Sequence, residues 1–167
     1  RQNFNEQEPD YIRVYSPEGV SDMMRRGRDA GYFVIYNHPA WSLEAYPEYI
    51  SYNGMHAMEI VNFSCYNQGY TDENEHCYDD MLRSGKRIYC VATDDNHNVS
   101  PDDSPYCDSF GGYTMIAAAS LNYREVTSAL ENGMFYASRG TSTHMGPEIL
   151  SLVYDNGTVR IKTSPVR

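Results

Sequence analysis

Val91-Ala92-Thr93-Asp94-Asp95-Asn96-His97-Asn98 decides how this chain is read. The apolar run from Ile88 to Ala92 predicts a buried strand, and it stops abruptly in two carboxylates, an amide, an imidazole and another amide. Residues two apart on an extended segment point the same way, so Asp95 and His97 would present an oxygen and a nitrogen ligand on one side. Carboxylate plus imidazole is the donor mixture that zinc, manganese and iron accept.

Working outward, the same pattern recurs. Ser16-Pro17-Glu18 opens a helix with Ser as N-cap and Pro in the first turn, and Gly31 closes it. Tyr32 to Tyr36 predicts a strand buried on both faces, ending in Asn37-His38-Pro39. A short helix over 42–50 follows, then a strand from Met55 to Val61 that carries Glu59 and ends at Asn62. Phe63 to Thr71 reads as a polar loop, and Asp72 as the cap of a helix that runs to Ser84 and closes at Gly85. Beyond the opening strand lie a long loop over 94–109, a strand from Tyr113 to Ala118, an amphipathic helix from Leu121 to Asn132, and a short strand from Phe135 to Ala137. Tyr11 to Tyr15 reads as a short strand or an extended lead-in.

Alternating helices and strands predict a parallel α/β sheet or barrel, and such folds gather ligands at the carboxyl ends of the strands. Asn37-His38, Asn62 and Asp94 to His97 all fall at such ends. Glu59, a carboxylate inside an apolar strand, must be paired or belong to a pocket. After Gly140, Ile149–Tyr154 and Thr158–Thr163 alternate apolar and polar residues around Asp155-Asn156-Gly157, which predicts a β-hairpin. The expected division is therefore 1–140 as the α/β part and 141–167 as the start of a β-rich extension.

Composition narrows the function classes. The 167 residues are 41% hydrophobic and 22% charged, as expected of one globular domain. A net charge of −10 argues against a non-specific nucleic-acid binder. The basic clusters Arg25–Arg28 and Arg83–Arg87 fall where helices end, where the helix dipole favours cations. No apolar run is long enough for a membrane span, and the polar start Arg1–Asn5 does not read as a secretory leader. Cys65, Cys77, Cys90 and Cys107 lack Cys-x-x-Cys spacing and read as free thiols of a reducing, cytoplasmic setting.

Other motifs fall away on inspection. Asp94, Asn96, Asn98 and Ser100 mimic the start of an EF-hand loop, but Val99 stands where its Gly belongs and Pro105 where its Glu belongs. Gly-rich phosphate loops, a Gly-x-Ser-x-Gly elbow and kinase signatures are absent from the sequence. His56 and His76 read as surface residues, and His144 as a loop residue without a specific role.

Taken in series, Asn37-His38-Pro39-Ala40, Met58-Glu59-Ile60-Val61-Asn62, Thr93-Asp94-Asp95-Asn96-His97 and Gly133-Met134-Phe135-Tyr136-Ala137-Ser138 resemble the PHP domain family, the polymerase-and-histidinol-phosphatase metal-dependent phosphoesterases. The resemblance covers about residues 30 to 140. It implies the C-terminal part of a distorted (β/α)7 barrel followed by a β extension, and a site of up to three divalent ions, Mn, Zn or Fe, that hydrolyses a phosphorylated small molecule. Carried over residue by residue, it implies His38, Asp95 and His97 as metal ligands and Asn37, Glu59 and Asn62 as pocket positions. Asp94 is a further candidate, for passing a proton to the leaving alkoxide.

The family's opening His-x-His and Ser-Asp-Gly are not in this chain, and residues 1–37 contain no histidine. The expectation is therefore the later portion of a longer protein, and Arg at both ends would suit trimming by a trypsin-like protease. The rival expectation is a non-catalytic interaction module with a degenerate metal site. It would present Tyr-rich loops such as Ser64 to Thr71, in a chain with sixteen tyrosines.

Overall fold

The computed structural model describes residues 12–71, 73–97, 101, 104–140 and 146–165. Helix α1 (Pro17–Asp29) starts as its sequence demands: the Ser16 hydroxyl accepts from the Gly19 N–H at 3.2 Å. Strand β1 is only Ile35–Tyr36, and β2 spans Ala57–Asn62 and β3 Tyr89–Thr93. The three form one parallel sheet in the order β1-β2-β3. Helix α2 (Tyr46–Tyr49) joins β1 to β2; α3 (Phe63–Asn67) and α4 (Glu75–Arg83) join β2 to β3.

The remaining strands depart from the parallel scheme. Strand β4 (Gly112–Ile116) and β5 (Phe135–Arg139) pair antiparallel with each other, linked by α5 (Tyr123–Glu131). Strands β6 (Ile149–Asp155) and β7 (Thr158–Thr163) form a separate antiparallel hairpin. The molecule is mixed α/β with small sheets, and no closed barrel forms among the described residues. Alternation of element types was legible in the sequence, and the parallel pairing it implies holds for β1, β2 and β3; the antiparallel direction of β4 and β5 was not legible, because a period of two is the same in both directions. The ribbon β4–β5 still leans on the parallel sheet. The Thr114 hydroxyl donates to the Ala92 carbonyl at 2.9 Å and accepts the Ala92 N–H at 3.2 Å.

The core lies between the sheet and helices α1, α2 and α4: Met24, Tyr36, Tyr49, Tyr52, Met55, Met58, Met81 and Ile88. Met58 and Met81 have no exposed surface, and burial of such a side chain contributes roughly 1.5–3 kcal/mol. Tyrosines serve here because each hydroxyl finds an acceptor. Tyr36 and Tyr52 both donate to the Glu44 carboxylate, Tyr49 donates to Asp80 at 2.6 Å, and Tyr78 to the Ile88 carbonyl at 3.0 Å. Burial, with Glu44 opposite, pushes the Tyr36 phenol far above its ordinary pKa and that of Tyr52 up to about 12.

Several local expectations need correction. The strand expected over Tyr32–Tyr36 is not buried on both faces: β1 is an edge strand, and Ile35 is 37% exposed while Tyr36 is buried. The supposed loop after Asn62 begins with α3, which is too short to show helical periodicity but is capped by Asn62. Asp72 and Tyr11 lie outside the described residues, as do Asn98 to Ser100 and His144; residues 12–15 form no strand, and α4 starts after Asn74. His56 is not a free surface residue. Its Nδ1 accepts the Val34 N–H at 3.0 Å and its ring stacks on Phe33 at 4.9 Å, tying β1 to β2. All four cysteines are free, and no described helix is long and apolar enough to cross a membrane.

Candidate functional site

The carboxyl ends of β1, β2 and β3 meet around Glu59. Its side chain is 1% exposed, and three donors satisfy it. The His38 N–H and Asn62 Nδ2 reach Oε2 at 2.8 and 3.0 Å, and the Thr93 hydroxyl reaches Oε1 at 2.5 Å. Each donor comes from a different strand or strand end, so one buried carboxylate laces the rim together. A carboxylate with this many hydrogen bonds meets the requirement that buried charge be satisfied.

Glu59 and Asn62 are three residues apart, and on a regular strand they would face opposite ways. A β-bulge reconciles them. Glu59 pairs with Val91 and Val61 with Ala92, so Ile60 is the extra residue on β2. The bulge brings Asn62 round to the Glu59 side; re-aiming a side chain is what such insertions do. Asn62 is fully buried and uses both ends of its amide. Nδ2 donates to Glu59 and, at 3.1 Å, to the Asp95 carboxylate; Oδ1 accepts the Cys65 N–H at 2.9 Å and caps α3. An aspartate there could not donate to two carboxylates.

Asp95 and His38 occupy strained backbone. Five described non-glycine residues have positive φ: His38 (34°), Leu43 (57°), Asp95 (48°), Phe110 (69°) and Asn156 (46°). Asn156 sits in the hairpin turn; the other four lie in loops that follow β1 and β3. Such conformations persist where the surroundings over-determine them, and they cluster at functional sites. At His38 the Glu59 bond to its N–H supplies the constraint. At Asp95 it is the Asn62 bond, together with its neighbour Asp94.

Asp94 holds the loop. Its Oδ2 accepts the Phe110 N–H at 2.7 Å, and its Oδ1 the Gly111 and Gly112 N–H groups at 2.8 and 2.9 Å. Asp95 and His97 do come together, with Oδ1 and Nε2 4.0 Å apart. The turned backbone at Asp95 achieves this rather than simple strand alternation. The His97 N–H donates to Asp108 at 3.3 Å, and its side chain is 65% exposed. Nδ1 of His38 lies 3.1 Å from the Ser42 hydroxyl, and its ring meets Trp41 edge to face at 5.1 Å. Asn37 is exposed at the end of β1.

In kind, these donors suit a divalent ion. In number they fall short: a stable site needs about four ligands, and among the described residues no group of three or more His, Cys, Asp or Glu side chains could hold an ion. A cavity of about 530 Å³ lies elsewhere, against Ile60, Val61, Phe135 and Ala137 with Glu73, Glu75 and Arg139 beside them, and none of the candidate site residues lines it.

Thr93, Ser42, Trp41 and Asp108 were not singled out from the sequence. Neither Thr93 nor Asp108 carried a sequence signal: Thr93 reaches Glu59 only through the register of β2 on β3, and Asp108 lies in a long polar loop. No family model, no curated protein and no solved structure matches this chain.

Proposed function

We propose that this chain carries part of a metal-dependent phosphoesterase site, with His38, Asp95 and His97 as its contribution to the ligands. One observation supports the reading above the rest: the Glu59–Asn62 pair bonds at once to the His38 backbone and the Asp95 carboxylate, at the ends of parallel strands. Separate β/α units thus bring their polar ends to a common rim. The reading requires further donors from outside the described residues. When bound, divalent metal would acidify a water and neutralise phosphoryl charge.

The chain's own residues orient and hold. Asn62 fixes the Asp95 carboxylate, Glu59 fixes the turn at His38, and Asn37 and His97 stand open to a ligand at the rim. Both Asp94 oxygens are engaged by backbone N–H groups, so in this reading Asp94 fixes the loop that carries Asp95 and His97.

The test is metal analysis and turnover of a generic phosphomonoester by the manganese-loaded full-length parent protein, of which this chain would be the later portion. Asp95→Ala and His97→Ala are expected to lower activity by at least about 100-fold, in line with loss of metal-held transition-state stabilisation. Activity untouched by both overturns the reading.

A second reading, a non-catalytic interaction module, is favoured by the lack, among the described residues, of any group of three or more His, Cys, Asp or Glu that could hold an ion, and by Tyr66 and Tyr70, 53% and 55% exposed. It predicts no bound metal and no effect of either substitution on partner capture, whereas Tyr66→Ala would weaken it.

A further inference from the structure

We propose that Asn156 is a site of spontaneous covalent modification, the one Asn-Gly pair of three that this fold leaves open to deamidation. The inference does not depend on the phosphoesterase reading. The chemistry is intramolecular. The main-chain nitrogen of the glycine gives up its proton and attacks Cγ of the preceding asparagine. The new C–N bond closes a cyclic succinimide, and the side-chain nitrogen leaves as ammonia. Water then adds to either carbonyl and opens the ring, giving aspartate or isoaspartate. Glycine favours the closure because it has no Cβ to obstruct the approach and its backbone turns freely. The sequence holds three such pairs, Asn53-Gly54, Asn132-Gly133 and Asn156-Gly157. What separates them is how firmly the fold holds each amide away from the next nitrogen.

Two pairs are locked. Asn53 uses both ends of its amide: Nδ2 donates to the Ser51 carbonyl at 2.8 Å, and Oδ1 accepts from Lys86 Nζ at 3.2 Å. Its N–H donates to the Ser21 hydroxyl at 3.0 Å, and Gly54 lies so close to α1 that a Cβ there would come within 2.9 Å of Met24 Cβ. Asn132 caps α5, with Nδ2 donating to the Ser128 carbonyl at 2.8 Å. The attacking nitrogen is engaged as well, because the Gly133 N–H donates to the Leu130 carbonyl at 3.2 Å.

Asn156-Gly157 is the tip of the β6–β7 hairpin. Both residues are exposed, and among the described residues no hydrogen bond or ion pair holds the Asn156 side chain. A Cβ on Gly157 would meet nothing within 4 Å. The turn conformation, with φ of 46° and 81°, has to relax before the nitrogen reaches Cγ. Relaxation costs little at the end of a two-stranded ribbon, and much at a helix cap or against the core. Isoaspartate would add an extra main-chain atom to the turn between the paired Asp155 and Thr158. It would also set a new carboxylate beside Asp155, whose own carboxylate lies 3.9 Å from Arg160.

The test is incubation of the full chain at mildly alkaline pH, folded and in urea, followed by peptide mapping for the mass gain of amide-to-acid conversion. Trypsin separates the three pairs, which lie between Arg28 and Arg83, between Arg124 and Arg139, and between Arg139 and Arg160. In the folded chain Asn156 is expected to convert at least about 10-fold faster than Asn53 or Asn132, as the difference in local opening requires. In urea the three rates should converge, because the dipeptide is the same. A smaller or reversed difference in the folded chain overturns the inference. So does an Asn156 that converts in urea but not when folded. The same ordering surviving in urea also overturns it, by tracing the selectivity to neighbouring residues and not to the fold.

Discussion

Strand β2 and the hairpin β6–β7 are both regular β structure, yet they stand at opposite extremes of burial. In β2, Ala57, Met58, Glu59 and Asn62 are all buried, and even the polar members find partners inside. In the hairpin, Leu152 lies opposite Ile161 and Tyr154 opposite Val159 on one face, and the four are 57–74% exposed. The hairpin is shaped by its turn: Asn156 and Gly157 both take positive φ, as a two-residue hairpin loop needs. Strand β2 is shaped by its surroundings, which impose a bulge that its own residues do not announce. Local turn chemistry makes a hairpin; a site needs long-range closure.

The sharpest way to break this contrast is to invert one charge pattern in the buried strand. Asn62→Asp keeps the size but removes the donors that face Glu59 and Asp95, and it puts a third carboxylate among them. Leaving a buried charge uncompensated typically costs about 3–5 kcal/mol. The new carboxyl would have its pKa raised, so the penalty should be full near neutral pH and shrink as pH falls and the group protonates. Urea denaturation at two pH values checks both the size and the sign. A neutral effect would mean that the Glu59 network is open to water.

Thr93→Val probes the same network more gently. It is nearly isosteric and deletes the hydroxyl that donates to Glu59. Hydrogen bonds to charged groups are worth about 1.5–3 kcal/mol, so a loss in that range is expected in the same denaturation measurement. Loss of less than half a kilocalorie would show that Glu59 is held by its other two donors alone.

These two residues also mark how far sequence reasoning reaches. The strand containing Glu59 was legible because an apolar run of this length bounded by polar residues is a strong signal. So was its end, and so was the gathering of Asn37, Asn62 and Asp95 at one rim, which follows once three strands run parallel. The bulge at Ile60 was not legible, because no glycine or proline marks it and it arises from pairing with β3. The antiparallel ribbon β4–β5 was not legible either, since nothing local in Tyr113–Ile116 or Phe135–Arg139 encodes direction. His56 was misread for a related reason: its partner, the Val34 N–H, is twenty-two residues away in sequence.

That histidine gives a smaller effect. Burial, with Arg28 as the nearby cation, lowers the His56 pKa, and Glu131 only partly opposes this. Well above pH 6.5 the ring is neutral in folded and unfolded chains alike, and its bond to the Val34 N–H is fully present. As pH falls through 6.5 the unfolded chain takes the proton first, so stability declines toward the lower folded value. His56→Gln can still accept from Val34 without titrating. It should flatten the dependence of the urea midpoint between pH 7 and 5.5; an unchanged slope would assign that dependence to other groups.

The smallest effect belongs to the hairpin. If its apolar face is bare in solution, replacing Leu152 removes no packing, and Leu152→Ser should change stability by no more than about 0.5 kcal/mol. An isolated two-stranded ribbon is marginal on its own. Hydroxyls of the β4–β5 ribbon meet it at its base: Tyr136 accepts from the Ile149 N–H at 3.0 Å, and Tyr113 from the Gly146 N–H. Amide exchange should therefore be slow at β2 and β3, intermediate near Ile149, and fast from Leu152 through Ile161. A penalty above about 1.5 kcal/mol for Leu152→Ser, with slow exchange along the hairpin, would mean that this face is packed against something in solution, since only a buried leucine loses that much on truncation. The contrast with β2 would then be one of partner, not of burial.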